Sequence, residues 1–140
     1  MKNLTPEQNQ TIEKYKQLGI VIEILAPDLI KIKQTTLVNG FILNQKQLHT
    51  RARAIFTTEK ITPVVYSPNL NDITIEWVKQ QMEEYGIKRN DLAKQLGIDK
   101  KTLGNIFLRD YYLNKPMKIS LFYYFLTYKL NNNLRTIDNE

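Results

Sequence analysis

The sequence predicts a small α+β module of order α-β-β-α-β followed by an all-helical domain, and three observations lead to that reading. Runs rich in β-branched residues at period two precede residue 67. After it, the apolar residues recur at helical spacing. Between the two stretches, Ser67-Pro68-Asn69-Leu70-Asn71-Asp72 has the composition of a turn-rich connector. The expected boundaries are a module over residues 1–68, a linker over 69–73, a helical domain over 74–132 and a polar tail over 133–140.

The first helix begins at Thr5-Pro6-Glu7-Gln8. Thr5 caps, Pro6 suits the first helical position, and Gln8 reaches back to complete a capping box. Ile12, Tyr15 and Leu18 share one face, and Gly19 closes the helix in the left-handed conformation. Residues 20–26 form a strand with Ile20, Ile22 and Ile24 on one side and Val21, Glu23 and Leu25 on the other. After a Pro27-Asp28 turn, Ile30 and Ile32 point inward and Lys31 and Lys33 outward, completing a hairpin with one wet face. Asn39-Gly40 marks another turn. Asn44 with Gln47 caps a helix to about residue 56, with Leu48, Ala52, Ile55 and Phe56 as its stripe; Thr57-Thr58-Glu59 ends it. A third strand spans 61–66, and Pro63 near its start points to a sheet edge.

In the helical domain, Thr74 caps a helix through Tyr85 that carries Ile75, Val78 and Met82, with Trp77 beside them, and Gly86 ends it. Two short helices follow over 89–96 and 100–107. Asn114-Lys115-Pro116 introduces a long helix to about residue 131, heavy in Leu121, Phe122, Phe125, Leu126 and Tyr128. Tyr123, Tyr124 and Tyr128 cannot all face inward, so an exposed aromatic face there would mark a subunit contact.

Composition narrows the function classes. Cysteine is absent, which excludes disulfides and thiolate metal sites and fits a cytoplasmic setting. The longest uninterrupted apolar run, 122–126, is far short of the roughly 20 residues that span a bilayer. Residues 1–6 lack the apolar core of a secretory signal. No membrane partner is expected. His49, the one histidine, lies on a polar helix face, and no Gly-rich phosphate loop, nucleophile elbow or histidine pair is present. The expectation is a non-enzyme with no catalytic residue, no metal and no cofactor.

The net charge is +6, from 20 basic and 14 acidic residues, which favours a polyanionic partner. Its distribution says more. Residues 88–118 hold eight basic side chains (Lys88, Arg89, Lys94, Lys100, Lys101, Arg109, Lys115, Lys118) against three acidic ones, an excess of five. That excess falls on a pattern of two short helices joined by a tight turn. Ala93 is small where crossing helices come closest, Gly97 permits the turn, and Leu92, Leu96, Ile98, Leu103 and Ile106 fill the wedge between them. Asp99 caps the second helix. Its first turn then presents Lys100, Lys101 and Thr102, with Gly104 and Asn105 one turn later. Lysine bonds guanine or a phosphate, asparagine pairs bidentately with adenine, and glycine lets a backbone approach closely.

Residues 74–130 resemble the lambda-repressor-like (Cro/cI-type) helix-turn-helix family. The resemblance is carried by Leu92-Ala93, Leu96-Gly97-Ile98 and Thr102-Leu103-Gly104-Asn105-Ile106-Phe107, and it covers the C-terminal half only. It implies that Lys100, Lys101, Gly104 and Asn105 fall where the family reads bases. It implies that Arg89 and Asn90 fall where the family clamps the backbone or buttresses a base contact, and that Arg109 and Lys115 resemble its further phosphate contacts. The family often has glutamine or serine where this chain has Arg89 and Lys101, and the connection through Arg109-Asp110-Tyr111-Tyr112-Leu113 is more aromatic than is usual there.

The expected function is sequence-specific binding of double-stranded DNA by a small transcriptional regulator of bacterial, phage or mobile-element type. Helix 100–107 would enter the major groove, and the family resemblance implies a homodimer on a palindromic site. The expected DNA-binding set is Arg89, Asn90, Lys100, Lys101, Thr102, Gly104, Asn105, Arg109 and Lys115. The alternative is a protein-interaction or phage structural adaptor that uses the two-helix pattern as a packing unit. Tyr111-Tyr112 would stack on a sugar or pack on the closing helix. Lys31 and Lys33 with Arg51 and Arg53 would be a second phosphate contact or a solvated face, and single-stranded nucleic acid on the N-terminal sheet is a third reading.

Overall fold

Thr5 lies in extended backbone, and its hydroxyl accepts from the Gln8 amide at 3.1 Å while Gln8 Oε1 accepts from the Thr5 amide at 2.9 Å. This capping box starts α1 (Pro6–Gln17). The structure, a computed structural model, describes residues 3–38, 40–109 and 113–138, with side chains as far as residue 132. Asn39 and Asp110-Tyr111-Tyr112 lie outside the described residues, and with them the expected turn at Asn39 and the expected packing of the two tyrosines. The chain divides into two units, Met1–Ser67 and Pro68–Glu140.

In the first unit, α1 leads into β1 (Ile20–Ala26), β2 (Leu29–Gln34), α2 (Gln45–Arg53) and β3 (Lys60–Val64). β1 and β2 pair antiparallel, with Ile22 opposite Ile32 and Ile24 opposite Ile30. β3 lies parallel to β2, so β2 is central. A parallel return needs a crossover, and α2 supplies it. Pro63 stands on this edge strand opposite Ile32. Both helices cover one face of the sheet, where Ile20, Ile30, Ile32 and Ile61 meet Leu48, Ala52, Ile55 and Phe56, with Ile12 and Tyr15 at the margin. Gly19 must be glycine. Its φ is 81°, and a Cβ there would stand 2.2 Å from the Thr36 carbonyl oxygen.

Two expectations for this unit need correction, the end of the first helix and the end of the second. Leu18 is exposed, because it is the C-cap of α1 rather than part of its buried face. Ile24 keeps its expected side, paired with the buried Ile30 just before the register shifts, though it is itself exposed. The helix expected to reach residue 56 stops at Arg53, and Ile55 and Phe56 enter the core from the following turn.

The second unit is all helical: a 3₁₀ turn at Leu70–Asp72, then α3 (Ile75–Tyr85), α4 (Arg89–Leu96), α5 (Lys100–Leu108) and α6 (Lys115–Asp138). Thr74 Oγ1 accepts from the Trp77 amide at 3.1 Å to start α3, and Asn114 Oδ1 accepts from the Met117 amide at 3.0 Å to start α6. One core joins all four helices, centred on Val78, Leu92, Leu103, Ile106, Leu121 and Phe125. Trp77 meets Phe125 edge-on, with ring centroids 5.4 Å apart.

The expected linker over 69–73 is instead part of this unit. Pro68 and Ile73 are buried, and the Lys118 ammonium donates to the Leu70 carbonyl at 3.2 Å. Its turn-forming composition is used for a structured turn rather than a free connector. α6 also outruns its expected end and continues to Asp138. Asparagine is only mildly unfavourable in a helix, so Asn131-Asn132-Asn133 does not stop it.

Candidate functional site

α4 and α5 are joined by three residues, Gly97-Ile98-Asp99. Gly97 takes the left-handed conformation (φ 70°, ψ 31°), and the Ile98 amide donates to the Ala93 carbonyl at 2.9 Å. The chain therefore reverses within one residue of the end of α4. Asp99 then caps α5. Its Oδ1 accepts from the Thr102 amide at 2.7 Å, and its Oδ2 accepts from the Thr102 hydroxyl at 3.0 Å. These bonds to Thr102, with the nearby Lys101 charge adding to them, hold the Asp99 carboxyl below its ordinary pKa.

α5 is strictly two-sided. Leu103, Ile106 and Phe107 are buried in the core. Residues 101, 104, 105 and 108 fall at i, i+3, i+4 and i+7 and form the opposite stripe. That stripe reads Lys101, Gly104, Asn105, Leu108, with Lys100 at its upper edge. Lys100 and Lys101 are exposed, and neither donates a hydrogen bond to a described side chain or carbonyl. Gly104 and Asn105 are half-buried.

Two features of this stripe work against the stability of α5. Cations in the first turn of a helix oppose its dipole, at a cost of roughly 0.3–1 kcal/mol each. The first turn of α5 nevertheless holds two lysines and no acid. Glycine inside a helix costs about 1 kcal/mol relative to alanine. The other four glycines, Gly19, Gly40, Gly86 and Gly97, all have positive φ and so serve the backbone. Gly104 has an ordinary helical φ, and a Cβ placed on it would meet nothing within 4 Å. Neither its backbone nor its packing accounts for it.

The remaining expected residues are distributed unevenly. Arg89, the first residue of α4, is exposed, and its guanidinium lies over the Phe107 ring at 4.3 Å from the centroid. It is thereby held beside the C-terminal turn of α5. Asn90 is exposed next to it. Thr102 is turned away from the stripe, because its hydroxyl proton goes to Asp99. Arg109 is the C-cap of α5, exposed and in extended backbone, and its amide donates to the Asn105 carbonyl at 3.1 Å. Lys115 opens α6, beyond the undescribed residues 110–112. Lys118, counted in the local basic excess, is engaged with Leu70.

Sequence reasoning missed three residues here. Leu108 is 81 % exposed although it ends an otherwise apolar run, Ile106-Phe107-Leu108. Gln95 on α4 accepts hydrogen bonds from both the Tyr124 and the Tyr128 hydroxyls, the latter at 2.8 Å, and so ties α6 to α4. Tyr85 stacks on Tyr128, and the half-buried Tyr124 and Tyr128 are thus satisfied within this unit. Burial first, and then the neighbouring Tyr128 hydroxyl, push the Tyr124 phenol pKa upward, so it stays a donor to Gln95. Only Leu108 carried a local signal: with Leu103, Ile106 and Phe107 facing inward, the helical period puts residue 108 outside.

In the first unit the cations expected as a second phosphate contact do not form one group. Lys31 and Lys33 alternate with the buried Ile30, Ile32 and Gln34, so they face away from the helices. Arg51 and Arg53 lie on the helical side. The Arg51 guanidinium sits 5.8 Å from the Tyr15 ring centroid. Arg53 Nη1 donates to the Phe56 and Glu59 carbonyls at 3.0 and 2.8 Å. No aromatic residue stands among the strand residues that alternate outward (Val21, Glu23, Leu29, Lys31, Lys33, Lys60, Thr62, Val64), so this face has no platform for stacked bases. Among the described residues no helix is long and apolar enough to cross a membrane, and no cluster of three metal-ligating side chains is present. Comparison with protein-family models, with curated proteins and with solved structures gives no match.

Proposed function

We propose that the second unit binds double-stranded DNA, with the outward stripe of α5 in the major groove and the chain acting as a small transcriptional regulator. Gly104 carries this reading. A helix-interior glycine with no backbone or packing reason is explained by a surface that must come closer to the helix axis than a side chain allows, and a groove wall is such a surface. The lysines at the N-terminal end of α5 support it. Their charges add to the positive end of the helix dipole, unfavourable for the isolated helix and favourable against phosphate. Asn105 supplies a bidentate partner for adenine, and Arg89, fixed on Phe107, supplies a backbone contact beside the same helix. The resemblance of residues 74–130 to the lambda-repressor-like family agrees with this assignment, and a homodimer on a palindromic site follows from it.

The adaptor reading requires an α5 surface that a protein can cover with apolar contacts. Lys100, Lys101 and Asn105 do not provide one, and Leu108 is a single apolar side chain among them. The test is selection from a random duplex library followed by binding of the recovered site across a salt series. The expected result is an enriched, inverted-repeat site whose log affinity falls linearly with log salt, with a slope near −4 to −5 if about five phosphates are neutralised. Failure to enrich any duplex, or binding without salt dependence, overturns the proposal.

A further inference from the structure

We infer that Leu108 is a specificity-determining residue that contacts the C5-methyl group of a thymine; this rests on the major-groove reading of α5. Three observations lead there. Leu108 is 81 % exposed, the most exposed of the large apolar side chains among the described residues, while its neighbours Ile106 and Phe107 are buried. It lies on the same stripe as Lys101, Gly104 and Asn105, at the i+7 position from Lys101 and one turn beyond Gly104. It is also the one apolar side chain on that stripe. Nothing in the fold of α5 needs a leucine there, since the core of this unit is closed by Leu103, Ile106 and Phe107 from the other side.

The major groove displays one apolar feature, the thymine methyl, among acceptors and amino donors. A surface that carries a cation, a bare glycine, an amide and an isobutyl group therefore matches a groove that offers guanine acceptors, an adenine edge and a methyl group. Lys101 and Leu108 are separated by seven residues, about 10.5 Å along the helix axis. The thymine is therefore displaced from the base that Lys101 meets, toward the C-terminal end of α5. Asn105 lies between Lys101 and Leu108 along the helix, so its adenine falls between the two.

The experiment replaces each thymine of the selected duplex in turn by deoxyuridine, which removes only the methyl group, and measures binding to the wild type and to Leu108→Ala. For the wild type, one position per half-site should weaken binding about three- to fivefold, the value of one buried methyl. For Leu108→Ala the thymine-to-uracil ratio at that position should fall to about one, while the other positions keep theirs. Writing the same position as a C·G pair with 5-methylcytosine should recover part of the wild-type preference over plain cytosine. An unchanged ratio in Leu108→Ala overturns the inference and leaves duplex binding standing. If the wild type enriches no duplex at all, the major-groove reading itself fails and the inference falls with it. A Leu108→Ala variant that loses self-association with no change in the ratio also overturns it, by assigning the leucine to a protein contact. The side chain is exposed, so the variant is expected to keep the wild-type thermal transition, which Trp77 fluorescence checks.

Discussion

The two units handle positive charge in opposite ways. Residues 1–67 hold nine basic and five acidic side chains, whereas residues 68–140 hold eleven and nine, so the first unit has the larger net charge. Yet its arginines work inside the fold. Arg53 closes the end of α2 by donating to two carbonyls, and Arg51 lies over Tyr15, whose hydroxyl in turn donates to the Arg51 carbonyl at 3.0 Å. Lys31 faces Glu23 across the hairpin. In the second unit the two lysines that open α5 oppose the helix dipole, and their local return is the attraction of Lys101 for the exposed Asp99 cap. Net charge is thus a poor guide to a polyanion site. A charge held where the fold would be better without it is a sharper one.

Exchanging the two sets of cations tests this contrast most strongly. Lys100→Ala with Lys101→Ala should weaken duplex binding on the order of a hundredfold or more at low salt, and should flatten the salt slope by about two. The Trp77-monitored transition should stay or rise, because two unfavourable charges leave the α5 N-terminus. A loss of helical circular dichroism in this variant would mean that the lysines are structural after all. Arg53→Ala should do the reverse. Removing a charged donor from two carbonyls is expected to destabilise the first unit by about 2 kcal/mol, seen in urea unfolding, with duplex affinity unchanged. Equal effects of the two variants on binding would dissolve the distinction between the units.

Gly104→Ala sharpens it at a single residue. In isolation the substitution should stabilise the second unit by about 1 kcal/mol, since alanine is the better helix former and its methyl meets open space. Binding should nevertheless weaken by about tenfold. A variant that is both more stable and an equal binder would remove the observation on which the DNA reading rests. The smallest effect is expected from acid. Because hydrogen bonding to Thr102 keeps the Asp99 pKa below its ordinary 3.8, the cap contributes fully above that value. Its contribution is lost as pH falls through the lower, folded-state value. Asp99→Asn keeps a capping oxygen without the titration, so the difference in Tm between wild type and variant should change only below about pH 4. A difference that changes instead near neutrality would assign it to another group.

Much of the fold was legible in the sequence because it is written in local signals. Thr5 with Gln8, Asn44 with Gln47, Thr74 and Asp99 all cap the helices they precede. The alternation of Ile30 and Ile32 with Lys31 and Lys33 gives the inward and outward faces of β2. What stayed hidden acts across distance. The two phenols on Gln95 reach it from 29 and 33 residues away, and Gln8 Nε2 donates to the Ile55 carbonyl 47 residues on. No spacing announces such pairs. Of the candidate site, the α5 stripe was readable from the helical period. The tilt of Arg89 onto Phe107 and the turning of Thr102 toward Asp99 depend on which rotamer has a partner, and a sequence does not carry that information.

Gln34 remains as the quiet hinge between the sheet and the segment that follows it. Its side chain is 3 % exposed; its Nε2 donates to the Phe41 carbonyl at 2.8 Å, and its Oε1 accepts from the Leu43 amide at 2.9 Å. One side-chain amide therefore does for this segment what a neighbouring strand's peptide group would do. Hydrogen exchange turns that into a clock. The Leu43 amide lies outside any strand or helix, yet it should exchange with the slow core of the sheet rather than with the solvent-facing turns, because it opens only when Gln34 leaves its buried place. The Leu43 amide then keeps the sheet's time, although it belongs to no strand.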